Sequence, residues 1–67
     1  MFRFLLRLED GEPNDPAALL TPVPNWQVDQ TFLTGRGDEW RILAINTEFD
    51  EVLVESGFNG IFVVEPV

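Results

Sequence analysis

Glu39-Trp40-Arg41-Ile42-Leu43-Ala44-Ile45-Asn46 is the stretch on which the reading of the fold turns. As a strand it sets Trp40, Ile42 and Ala44 on one face and Arg41, Leu43 and Ile45 on the other. A strand with one wet face alternates apolar and polar residues, whereas this run is apolar on both sides after Arg41. That pattern predicts a central strand. A buried helix would carry the same run. The flank decides against it: Gly35-Arg36-Gly37-Asp38 is turn chemistry, and bulky or β-branched residues favour the pleated state.

Working outward, Thr31-Phe32-Leu33-Thr34 lies just before that turn, so 31–34 and 40–45 form a hairpin. At the start of the chain Phe2, Phe4, Leu6 and Leu8 alternate with Arg3, Leu5, Arg7 and Glu9, which predicts a first strand with the phenylalanines and leucines inward. Arg3 and Arg7 then share the outer face, where a carboxylate such as Glu65 is a cross-strand partner. Ile61-Phe62-Val63-Val64-Glu65, ended by Pro66, is the closing strand.

Two segments are harder to read. Four of the five prolines fall between Asp10 and Asn25. Proline cannot donate to a strand ladder, so this stretch reads as a long Pro-rich loop after strand 1. Asp15-Pro16 there caps one short helical turn over 17–20. In the second segment Thr47 and Asp50 stand in capping order, and Phe49, Val52, Leu53 and Ser56 fall at helical spacing before Gly57. This favours a short helix over 48–56. The β-branched run at 52–54 and the hairpin dipeptide Asn59-Gly60 leave a fourth strand at 51–56 as the alternative.

The expected fold is therefore mainly β: a small, partly open barrel of 4–5 antiparallel strands in one domain, 1–67. The order of strand, long loop, Trp26-x-x-Asp29-x-x-Phe32, tight turn, Trp40-Arg41-Ile42-Leu43 and a last strand Phe62-x-Val64-Glu65-Pro66 resembles SH3-like small barrels. It also resembles short uncharacterised bacterial proteins of that plan. The resemblance spans most of the chain and implies a fold without an activity.

Composition removes whole classes of function. There is no cysteine, histidine, tyrosine or lysine; four arginines face twelve carboxylates, for a net charge of -8. Disulfides and thiolate metal sites are impossible, as are a His-activated nucleophile and a lysine Schiff base. Paired carboxylates are the one acid–base option, and they need a cleft to separate their pKa values. No catalytic residue and no cofactor are expected. Nucleic acid and anionic membranes are poor partners for such a charge. The charge suits solubility, a cation or a basic protein partner. Neither a signal-peptide core nor a run near the ~20 apolar residues of a spanning helix is visible, so the default location is cytoplasmic.

Two candidate sites remain. Trp26, at the end of the Pro-rich segment, would line a groove beside Asp10, Glu12, Asp15 and Asp29 and take a basic or Pro/Arg-rich peptide. Asp10, Glu12, Asn14 and Asp15 place oxygen ligands at near-alternate positions, as a calcium loop begins. The sixth and twelfth places of that pattern hold Asp15 and Thr21 instead of Gly and Glu. Arg36-Gly37-Asp38 matches the tripeptide that integrins read, but it is also ordinary hairpin-loop sequence. The expected function is a non-catalytic protein-interaction module with an acidic surface. A weak divalent-cation-binding domain using the 10–15 carboxylates is the alternative. Homo-oligomerisation through a sheet edge is compatible with both.

Overall fold

The computed structural model describes residues 1–47 and 55–67. Five strands build one sheet: β1 (Phe2–Arg7), β2 (Pro13–Thr21), β3 (Thr31–Leu33), β4 (Glu39–Asn46) and β5 (Gly60–Pro66). Their spatial order is β2-β1-β5-β4-β3, and the sheet curls into an open half-barrel. The β1–β2, β3–β4 and β4–β5 pairs are antiparallel; β1 and β5 are parallel. The sheet is thus mixed rather than antiparallel throughout. A parallel pair needs a long crossover. Here everything between the two strands serves as that crossover, a separation that no local pattern announces.

Alternation does what the sequence leads one to expect in β1 and β5. Phe4 and Leu6 of β1, and Phe62 and Val64 of β5, point to the concave side and are buried, as are Phe32 and Ile42. The Phe4 and Phe62 rings stack with centroids 4.3 Å apart and planes 13° from parallel. Each such side chain contributes about 1.5–3 kcal/mol on burial, so this cluster is the core of the half-barrel.

The central strand is β5, not β4. The two-faced apolar run in β4 has a different cause. Ile42 pairs with Val64 and Ala44 with Val63, so one extra residue is inserted around Leu43. Such a bulge reverses the alternation. Trp40 and Ile42 face the core before it, and Ile45 packs against the core after it. The run is apolar on both sides because the inward side changes midway.

The Pro-rich segment 10–25 is loop only at its two ends: residues 13–21 form β2, no helical turn follows Asp15, and Pro22 and Pro24 lie in the connection beyond the strand. The physical reason is position. β2 lies at the sheet edge, where a proline costs no ladder hydrogen bond if its nitrogen faces away from the neighbour. The strand is also irregular: five residue steps from Pro13 to Ala18 oppose two from Arg7 to Leu5. The prolines sit at its start and in this irregular part, and regular pairing is confined to 18–21. The turn before it is closed by Leu8 N–H to Glu12 C=O (2.8 Å) and Gly11 N–H to Leu8 C=O (2.9 Å).

Asn59-Gly60 is not a two-residue turn. Asn59 extends the parallel pairing: its N–H donates to Arg3 C=O (2.7 Å) and its Oδ1 accepts from Arg3 N–H (3.0 Å). Gly60 opens β5, buried against Phe4. The expected helix at 48–56, like the alternative strand at 51–56, falls mainly on residues outside those described.

On the outer face Glu65 pairs with Arg41 (3.1 Å), its cross-strand neighbour, rather than with Arg3 or Arg7. Arg3 lies 4.9 Å over the Phe58 ring and donates to Ser56 C=O. Arg7 reaches Gly11 C=O at 3.5 Å.

A Cβ at Gly60 would lie 3.2 Å from Asn46 O and 3.3 Å from the Phe4 ring, both held by pairing or stacking. Gly60→Ala is therefore expected to lower unfolding stability by about 1–2 kcal/mol in urea titrations. Among the described residues the buried indole N–H of Trp40 has no hydrogen-bond partner. Removing an orphan donor offsets part of the lost apolar area, so Trp40→Phe should stay within about 1 kcal/mol of the parent while Trp40→Ala costs about 3.

Candidate functional site

Where the backbone groups of the two edge strands point follows from their pairing. Arg3 turns its backbone to Asn59, so alternate residues Phe2 and Phe4 face β2 and bond Thr21 and Leu19. Ala18 and Leu20 therefore present their N–H and C=O groups to the free side of β2. On the other edge, Thr34 N–H donates to Asp38 C=O (2.8 Å) and Ile42 N–H to Gln30 C=O (2.9 Å). Thr31 and Leu33, at the alternate positions, face away from β4.

The curl of the sheet brings these edges to the two sides of one opening. Between them lies a groove of about 220 Å³, floored by Leu6 and Phe32 and walled by Leu19 and Leu20 from β2 and Leu33 from β3. At one end Arg36, from the β3–β4 turn, crosses the opening. Its guanidinium donates to Asp15 C=O (2.8 Å) and lies 3.6 Å from the carboxylates of Asp15 and Asp38. The Arg36-Gly37-Asp38 tripeptide thus folds back on itself and across to β2. At the other end, residues 22–30 join the two edges covalently.

Trp26 sits in that connection. Its indole N–H donates to Val23 C=O (2.9 Å), and its ring meets Phe32 and Phe62 edge-on at 6.0 and 6.3 Å. It is half-buried, packing on the core while lining a cleft of about 510 Å³ with Phe4, Pro24, Asn25, Ile45 and Phe62. Among the described residues no carboxylate lines this cleft.

The acids named from sequence lie elsewhere. Asp10 is in the β1–β2 turn, where it caps Glu12 N–H and borders a shallow depression with Leu8, Val64 and Pro66. Asp15 is at the Arg36 end of the groove, its side chain 92% exposed. Asp29 follows Trp26 by three residues, takes a positive φ of 76° and donates its N–H to Ile42 C=O. Trp26 and the four carboxylates do not form one groove. The potential calcium ligands are also divided: Asn14 is buried, its side-chain amide donating to Pro16 C=O, while Asp15 is engaged by Arg36. Among the described residues no group of three or more acids is placed to hold a metal ion. No helix there is long and apolar enough to cross a membrane.

Leu20, Leu33 and Arg36 are the residues that sequence reasoning missed as a site. The signal was the unbroken Ala-Ala-Leu-Leu-Thr run after Pro16, which an edge strand tolerates and a loop does not require. No protein-family model matches the chain, and no curated protein or solved structure matches it either.

Because Trp26 contacts the core, Trp26→Ala is expected to cost about 2–3 kcal/mol of stability, and Trp26→Phe less than half of that, by urea denaturation.

Proposed function

We propose that this chain is a non-catalytic protein-interaction module that binds a cationic protein segment through the face holding β2, the 22–30 connection and β3. One observation carries the reading. Among the described residues, and apart from the terminal Met1 and Val67, the large apolar side chains that stand exposed are Leu20, Val23, Val28 and Leu33. All four belong to that one stretch of chain, and Leu20 and Leu33 are 59% and 67% exposed on the two sheet edges. Exposed apolar side chains concentrated in one stretch of chain, with Leu20 and Leu33 bordering the same groove, are what an interaction surface presents. The net charge of -8 favours a basic partner and opposes a nucleic acid or an anionic membrane.

The SH3-like comparison belongs to this reading as an analogy of size, strand number and an apolar groove beside acidic side chains. The parallel β1–β5 pair departs from an all-antiparallel barrel. A cytoplasmic setting goes with it as part of the proposal. No observation favours the cation-binding alternative.

Selection of random linear peptides on the full chain tests the proposal. Enriched peptides should combine Arg or Lys with aliphatic residues and weaken as salt rises. A Leu20→Ser, Leu33→Ser double variant, which leaves the charge unchanged and is folded to within about 0.5 kcal/mol per exposed substitution, should bind them at least about ten-fold less tightly. No enrichment, or equal binding by the double variant, overturns it.

A further inference from the structure

We infer that the binding mode is strand insertion: an extended cationic segment of the partner enters the opening between β2 and β3 as a sixth strand and closes the half-barrel. This rests on the interaction reading above and specifies how it is carried out. The opening has the chemistry that a strand needs on both sides. Ala18 and Leu20 offer backbone donors and acceptors from β2, and Thr31 and Leu33 offer them from β3. An unpaired edge is a template for another strand. Here two edges face one gap, and the groove of about 220 Å³ over Leu6 and Phe32 takes the inward aliphatic side chains of the visitor.

Charge selects the occupant. Asp15 and Asp38 stand at the Arg36 end with side chains 92% and 53% exposed, and Glu39 lies beside Leu33 as its cross-strand partner. Asp29 is exposed at the other end. Arg36 is already shared between two of these carboxylates. A second copy of this chain would bring another net charge of -8 to the same place, which self-repulsion opposes. An Arg- or Lys-bearing segment gains instead, its basic side chains reaching the rim carboxylates while the alternate residues enter the groove. Entry displaces the Arg36 side chain from Asp15, an exposed contact of little cost.

The test uses the isotopically labelled full chain and synthetic eight-residue peptides. One peptide alternates Arg with Val; its controls are a Glu–Val peptide and the Arg–Val sequence N-methylated at alternate backbone positions. The inference predicts that the Arg–Val peptide slows amide exchange at Ala18, Leu20, Thr31 and Leu33, that the Glu–Val peptide does nothing, and that N-methylation weakens binding about ten-fold or more. Equal binding of the N-methylated peptide, or shifts confined to the Trp26 cleft, overturns insertion while leaving the interaction module standing. Concentration-dependent protection of the same four amides without peptide makes a second copy the occupant and overturns the cationic partner. Silence in every arm overturns insertion, and the module falls separately if the display selection also fails.

Discussion

The parallel pairing of β1 with β5, with Phe4 stacked on Phe62 at the seam, is the constraint on which the rest depends. It joins the first strand to the last and places β5 at the middle of the sheet. β2 takes the free side of β1, and β4 with its hairpin partner β3 takes that of β5. The two edges are therefore strands from the middle of the sequence, tied together by residues 22–30. The sheet curls so that these edges, joined by a nine-residue connection, flank one opening. What the curl leaves is not a closed barrel but an opening between β2 and β3, and the candidate site is a consequence of that geometry.

The energetics of the opening differ from those of the core. Phe4, Leu6, Ile42, Phe62 and Val64 are sealed, and their burial supplies the stability. Leu20 and Leu33 contribute little to it because they stay in water. Arg36, reaching Asp15 across the gap, is an exposed ion pair of about 0–1 kcal/mol. It orients the rim without locking it.

Much of this was legible in the sequence where local rules act alone. The alternation of 2–8, the 31–34/40–45 hairpin and the closing strand at 61–65 follow from period-2 patterning and turn chemistry, and each lies within a residue or two of its strand. The rest depended on partners far along the chain. β2 was hidden because a proline rule written for central strands does not hold at an edge. The apolar doubling of β4 imitated a central strand because a bulge near Leu43 reverses its faces. Asn59-Gly60 imitated a hairpin turn because the need for a Cβ-free residue against Phe4 leaves the same signature as a turn. For the site, Trp26 was singled out as the aromatic at the end of the Pro-rich stretch; it packs on the core, and the acids expected beside it are spread over the β1–β2 turn, β2 and the 22–30 connection. Sequence proximity to a loop did not translate into proximity in space.

The central claim is that β2 and β3 are unpaired edges of one open sheet. Residue-by-residue amide hydrogen exchange on the free protein tests it most directly. The account predicts an alternating record: Leu19, Thr21, Phe32 and Thr34 exchange slowly, while Ala18, Leu20, Thr31 and Leu33 exchange fast. Slow exchange at Ala18, Leu20, Thr31 and Leu33, with the protein monomeric, would mean that the two edges already bond each other, and the opening on which the proposed function rests would not exist.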